Sequence, residues 1–286
     1  MAVKENEVGF MNIAVLSGKG GTGKTTVAVN LAEILTANYL DCDVEEPNGF
    51  IFLKPSEITS RDVHVLSPVI DQEQCNLCGE CTETCQFNAL FNTKKEILVF
   101  EKLCHSCQAC SLVCRPEALS FQERKIGVLE KGKKEKIQCW RGILDVGEPM
   151  AVPVIRELLK DAPSGPNLLD CSPGTSCNAV NSLRFAQGAI LVTEPSAFGL
   201  HDLKMAVKLV QGLKLPFGII INKWHGEGSF LEEYFKEEKI NVLGQIPYDR
   251  KAAEKYSRGG MLKDIPVYRE AFHKIAERVR EVLKCN

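Results

Sequence analysis

A chain of 286 residues, 44 % of them apolar, is long enough for about two domains with true hydrophobic cores. Its formal net charge of −2 gives no global reason to expect nucleic acid or an anionic membrane as partner. It contains no run of eighteen apolar residues and no basic-then-apolar leader, so neither a spanning helix nor a secretory signal is expected.

Met11 stands just ahead of a short β-rich apolar run, Asn12 to Ser17, and residues 1–10 are expected to be an extension without structural role. Gly18 to Thr25 follows that run at once and fits G-x-x-x-x-G-K-[ST] in a strand–loop–helix setting. Gly18, Gly20, Gly21 and Gly23 let backbone N–H groups turn inward around phosphate oxygens. Val27 to Leu35 reads as the apolar-faced helix that follows. Lys24 is expected to reach the β- and γ-phosphates and Thr25 to ligate magnesium, with Thr22 and Thr26 completing the cradle. Tyr39 to Asp43 reads as the next strand, ending in the pair Asp41 and Asp43.

Eight of the thirteen cysteines then fall into two copies of C-x-x-C-x-x-C-x-x-x-C, 29 residues apart, each closed by Ala-Leu. This spacing wraps thiolates around cubane iron–sulfur clusters. Paired C-x-x-C also ligates zinc, but two tandem four-cysteine runs with a lengthened third spacing argue against that reading. Residues 70–121 resemble bacterial two-cluster ferredoxins. The resemblance assigns Cys75, Cys78, Cys81 and Cys114 to one 4Fe–4S cluster, and Cys104, Cys107, Cys110 and Cys85 to the other. It departs in one respect: Gln86, not Pro, follows Cys85, and Arg115 separates Cys114 from Pro116. That departure bears on cluster exposure and potential rather than on ligation.

Lys131 to Lys136 is a basic run between apolar stretches, expected to be a hairpin tip with solvated lysines or a dock for an acidic redox partner. Ala189 to Val192, Phe217 to Ile221 and Val242 to Ile246 alternate with helical stretches, the pattern of a parallel sheet covered by helices on both faces. In the last helix Val267, Ala271, Phe272, Ile275, Val279 and Val282 form one apolar stripe. With Glu270, Glu277 and Glu281 offsetting its basic residues, it is expected to pack on the sheet rather than anchor to a membrane.

Lys19, directly after the first glycine, marks the deviant Walker A group, and the chain resembles the MinD superfamily of P-loop ATPases. The resemblance implies that Lys19 reaches across a nucleotide-sandwiched homodimer to the partner's phosphates. It implies that Asp43 orients the attacking water while Asp41 supports magnesium. Asn167 to Asp170, then Ser172, Pro173 and Gly174, resemble the Walker B and second switch segment, with Asp170 holding magnesium through water. By the same resemblance Asn222 reads adenine, and Pro247, Tyr248 and Asp249 close over the base. The expected fold is therefore an α/β P-loop ATPase of residues 1–69 and 122–286. An α+β ferredoxin-like insert, residues 70–121, leaves its host at loops. Oxygen-sensitive clusters and reduced thiolates point to the cytoplasm of an anaerobe.

Cys42, Cys139, Cys171, Cys177 and Cys285 remain, most simply as buried or idle thiols. Cys177 lies seven residues after Asp170, where the nitrogenase iron protein carries a cluster cysteine. An intersubunit third cluster would need a second thiol, and Cys139 is the candidate. Three functions are compatible with ATP, Mg2+ and two 4Fe–4S clusters on one chain. The leading one is a dimer switch that gates electron transfer to an unidentified redox partner. The others are assembly or delivery of a metallocluster to a protein partner, and a MinD-like positioning or scaffold ATPase with a redox-sensing insert.

Overall fold

The computed structural model describes residues 12–226 and 228–283, with the side chain of Ser229 left aside; the expectations for residues 1–10 and Cys285 lie outside the described residues. The first strand, β1 (Asn12–Leu16), leads through the glycine loop into α1 (Lys24–Leu35), then β2 (Asn38–Asp41), α2 (Gly49–Leu53) and β3 (Ser56–Ile70). The cysteine-rich segment holds α3 (Glu80–Thr84), β4 (Leu90–Asn92), β5 (Ile97–Val99) and α4 (Ala109–Leu112). The chain returns along β6 (Leu119–Lys134) and β7 (Ile137–Leu144) to α5 (Ala151–Lys160), β8 (Asn167–Asp170), α6 (Cys177–Leu183), β9 (Gly188–Thr193) and α7 (Ala197–Gly212). It ends with β10 (Phe217–Trp224), α8 (Ser229–Glu237), β11 (Val242–Pro247), α9 (Arg250–Ser257) and α10 (Pro266–Leu283).

Nine strands form one sheet in the order β11-β10-β9-β1-β8-β2-β7-β6-β3. Seven of them, from β11 to β7, pair in parallel, and β6 alone runs against them, pairing antiparallel with both β7 and β3. Strands buried on both faces explain the near-continuous apolar runs. Ile13, Val15, Leu168, Ile190 and Ile220 face α1 and α10, whereas Ala14, Leu16, Leu169, Leu191 and Ile221 pack with residues of α5, α6 and α7.

The insert does not leave its host at loops. β3 and β6 pair from Ser56↔Lys133 to Ile70↔Leu119, so the ribbon runs unbroken through residues 70 and 121. The sequence repeat explains why. β4 starts at Leu90 and β6 at Leu119, the same offset of 29 as the cysteines, so each repeat closes by entering a strand. The first of these strands makes a short hairpin with β5, and the second is lengthened until it joins the main sheet.

The basic run does form the β6–β7 hairpin tip, but its lysines are partly paired. Lys134 lies 3.4 Å from Glu33, Lys133 lies 3.5 Å from Glu57, and Lys131 sits over the Trp140 ring. Helix α10 packs on the sheet as expected. Its buried face is Tyr268, Phe272, Ile275, Ala276, Val279 and Leu283, while Val267 is exposed. No helix among the described residues is long and apolar enough to cross a membrane. Phe272→Ala should therefore cost about 3–5 kcal/mol of stability in urea denaturation, and Val267→Ala less than about 0.5 kcal/mol.

Candidate functional site

The glycine loop crosses the carboxyl ends of β1, β8 and β2, where their charged residues converge. Gly21 and Gly23 have φ of 80° and 92°, the left-handed region that a side chain resists. At Gly23 even the space is taken, because a Cβ would lie 2.1 Å from Asn222 Nδ2. That amide donates to Thr22 O at 2.7 Å and ties the loop to β10. Among the described residues Thr22 Oγ1 is buried without a partner and nothing lies within 4 Å of a Cβ placed on Gly20, so the loop offers a polar, open cradle. Thr25 is half-buried and Thr26 buried in the first turn of α1. Gly174, with φ 82°, donates its N–H to Ser17 O at 2.8 Å, which places the expected second switch segment against the loop.

Lys24 is 6 % exposed, and its Nζ donates to Asp170 Oδ1 at 2.5 Å and stands 3.6 Å from Asp43 Oδ2. Burial alone would lower its pKa; the charges of Asp170 and Asp43 outweigh that and raise it. Asp41 and Asp170 are fully buried and directly paired across β2 and β8. Tyr39, a strand residue with no motif signal of its own, lies between them. Its hydroxyl is 3.1 Å from Asp41 Oδ2 and 2.8 Å from Asp170 Oδ2. Gly49 N donates to Asp41 Oδ2 at 2.9 Å, and its missing side chain clears the ring, since a Cβ would lie 2.1 Å from the Tyr39 hydroxyl. Burial, then the neighbouring charge of Asp170, pushes the Asp41 carboxyl up to about 7. Burial likewise raises Asp43, against the pull of Lys24.

Lys19 does not point into the cradle. Its Nζ is 2.7 Å from Glu194 Oε1, at the end of β9, and Lys223 Nζ holds the other oxygen at 2.9 Å while donating to Gly21 O at 2.8 Å. Neither Glu194 nor Lys223 carried a motif signal. Beside them opens a cavity of about 280 Å³ lined by Asn222, Pro247, Tyr248, Asp249, Ala252 and Tyr256. Asp249 also caps α9, accepting from Lys251 N at 2.9 Å.

Cys81 feels the charges of Cys75, Cys114 and Cys78, and Cys110 those of Cys104, Cys107 and Cys81. Cys85, Cys104, Cys107 and Cys110 line a single apolar cavity with Phe87 and Phe121. The backbone repeats with the sequence: Leu77 and Ser106, Gly79 and Gln108, and Asn88 and Glu117 all have positive φ, at the same offset of 29. Backbone N–H groups of Ala89 and Ser106 donate to Cys85 Sγ at 3.3 Å and Cys104 Sγ at 3.4 Å. Two sets of four thiols, with N–H donors aimed at sulfur, suit cubane clusters.

The candidate for an intersubunit third cluster fares differently. Cys177 is exposed at the start of α6, but Cys139 is fully buried in β7, and burial pushes its thiol up to about 12. A thiol in the sheet interior cannot be shared with a partner subunit.

The Asp41 carboxyl has an ordinary value of 3.8 and a folded one of about 7, so between these the folded chain binds more protons than the unfolded one. Stability from this group therefore falls as pH rises through that window. Urea denaturation with EDTA between pH 5 and 8 should show that fall, and Asp41→Asn should flatten it.

Residues 13–262 match the family model for the CobQ/CobB/MinD/ParA nucleotide binding domain. An uncharacterized protein of Methanocaldococcus jannaschii is 31 % identical over 259 residues, 87 % of this chain and 90 % of that protein. The iron-sulfur cluster carrier protein of Pyrococcus horikoshii is 27 % identical, covering 99 % of this chain and 90 % of that one. Among solved structures, the septum site-determining protein MinD of Pyrococcus horikoshii, complexed with Mg-ADP, superposes with a TM-score of 0.59 at 19 % identity, covering 94 % and 96 % of the two chains. Fold and sequence agree that the chain belongs to the CobQ/CobB/MinD/ParA nucleotide-binding family.

Proposed function

We propose that the protein is an ATP-hydrolysing iron–sulfur protein in which nucleotide occupancy of a homodimer gates electron transfer through two 4Fe–4S clusters. One observation carries this reading. Eight cysteines in two copies of one spacing lie within residues 70–121, on a ribbon continuous with the sheet that bears the phosphate cradle. Complete ligation within one chain suits resident clusters that pass single electrons between a low-potential donor and an acceptor protein.

In this reading the loop amides and Lys24 hold the phosphates of ATP, which must draw Lys24 from Asp170. Thr25, Asp41 and Asp170 would hold Mg2+, whose charge suits two buried carboxylates better than a proton does. Asp43 stands within 3.6 Å of Lys24 and orients the attacking water. Lys19 leaves Glu194 to meet the partner's phosphates. The Asn222 amide nitrogen is committed to Thr22 O, which leaves its oxygen to accept from the adenine amino group, with Pro247, Tyr248 and Asp249 around the base.

A second reading, metallocluster delivery, is favoured by the relatives named iron-sulfur cluster carrier protein, which match at about 27 % identity over nearly the whole chain. Lability separates the two. A resident-cluster protein keeps about eight irons per monomer through ATP turnover. A carrier loses iron to an apo-acceptor when ATP is added. A positioning role gains nothing from α10, whose apolar face is spent on the sheet.

Lys24→Ala should abolish nucleotide binding by isothermal calorimetry. Asp43→Ala should keep binding, lose at least about 100-fold in hydrolysis and trap the dimer in size-exclusion chromatography; persistent hydrolysis would remove Asp43 from its role. In anaerobic paramagnetic-resonance titrations, cluster potentials with ADP and with ATP on the Asp43→Ala background should differ by about 60 mV, a tenfold bias for a one-electron couple. Equal potentials with clusters retained would overturn gating.

A further inference from the structure

One buried ion pair joins the second cysteine set to the backbone beside the nucleotide cradle. Arg124 on β6 meets Glu148, in the turn between β7 and α5, through both terminal nitrogens: Nη1 to Oε2, and Nη2 to Oε1 at 3.3 Å. The two side chains are 14 % and 4 % exposed, so water screens them little. Among the described residues Arg124 Nε is buried without an acceptor.

The pair borders the cysteine unit. Arg124 acts electrostatically on both Glu101 and Cys104, and Gln122 Nε2, two residues earlier on β6, donates to Glu101 Oε1 at 3.1 Å. Leu66 N on β3 donates to the Ser106 hydroxyl at 3.0 Å. The turn that carries Glu148 touches the unit too, since a Cβ on Gly147 would lie 3.4 Å from Lys102 Nζ.

Its other end reaches the cradle. Leu144 N donates to Val44 O at 2.8 Å, one residue past Asp43. Asp145 N binds Ile126 O at 2.9 Å, and Glu148 N binds Asp145 O at 3.0 Å. Glu148 Oε1 also accepts from Met150 N at 3.3 Å, at the start of α5. Two hydrogen bonds, Leu144 N to Val44 O and Glu148 N to Asp145 O, thus link Val44 to the residue whose carboxylate neutralises Arg124.

We propose that Arg124 is a positioning charge for the cluster held by Cys85, Cys104, Cys107 and Cys110, and that Glu148, tethered to the backbone beside Asp43, sets how much of that charge the cluster feels. This rests on the two-cluster, nucleotide-gated reading above and names its coupling residues. A cluster gains negative charge on reduction, so a nearby guanidinium favours the reduced form and the carboxylate opposes it. Moving residues 43 and 44 with nucleotide would shift Glu148 against Arg124 and so shift the balance.

The test is a dithionite titration of the full chain followed by paramagnetic resonance. At fixed potential, Arg124→Gln should move the oxidised-to-reduced ratio of this cluster about tenfold toward oxidised, equivalent to 59 mV for one electron. Glu148→Gln should move it the opposite way, and Arg124→Lys should restore it. The cluster of Cys75, Cys78, Cys81 and Cys114 should change by less than about twofold, as should both clusters in Lys125→Gln, whose side chain pairs with Asp62 instead. Because a lone buried charge destabilises, the double variant Arg124→Gln/Glu148→Gln serves as the folded control, and in it the ADP-to-ATP difference should collapse. Unmoved potentials, or equal movement of both clusters, would overturn the inference. If the wild-type chain shows two clusters with nucleotide-dependent potentials and the double variant keeps that dependence, the coupling residues are wrong and the proposed function stands. A wild-type chain without two such signals sinks both.

Discussion

Two carboxylates lie side by side in the interior, on neighbouring strands, and everything around the cradle is arranged to make that tolerable. Asp41 and Asp170 are fully buried and in direct register, a like-charge pair that would resist ionisation if left alone. Lys24 and the Tyr39 hydroxyl meet them, and the backbone N–H of Gly49 reaches Asp41. The requirement spreads outward. Lys24 can answer Asp170 only if α1 starts where the glycine loop ends, and the loop keeps its shape only while Asn222 holds Thr22. Tyr39 fits only because position 49 has no side chain. Register of β2 on β8, the loop conformation and the start of α2 are thus one coupled solution to one electrostatic problem.

The cysteine unit solves a different problem. Its helices are four and five residues long and bury no residue fully, and its buried apolar residues, Ala89, Leu90, Ile97 and Ala118, are few. Order comes from the repeated left-handed backbone positions and from turns such as Asn88 N to Cys85 O and Glu117 N to Cys114 O, which recur in both copies. Small units of this kind rely on bound metal for stability.

Much of this was legible in the sequence because it is local. The glycine loop, the strand that feeds it and the two cysteine runs are set by residue type at fixed spacing, and the loop lies between β1 and α1 where that spacing puts it. The Asp residues at strand ends were also found in order. What escaped were partners distant in sequence. Tyr39 reads as strand filler until Asp170, 131 residues on, arrives beside it. Glu194 and Lys223 gain meaning only when the loop folds between them. The ribbon left a faint trace, alternate Val63, Val65, Ser67 and Val69, but nothing local says that β6 continues into a nine-stranded sheet. Helical spacing allows Val267 on the apolar stripe, but it is Tyr268, its neighbour, that turns inward and leaves Val267 exposed.

The ribbon has a mechanical side. Its pairing with β7 ends at Gly127, so the stretch from Ile126 to Leu119 projects beyond the main sheet, eight residues or about 26 Å at strand spacing. A paired β-ribbon bends far less readily than a single-stranded linker of the same length. It works as a lever: a tilt of about 10° where it leaves β7 would swing its far end by roughly 4–5 Å over that length. A shift too small to rearrange the nucleotide cradle would then still change how closely the cysteine unit approaches anything docked against it.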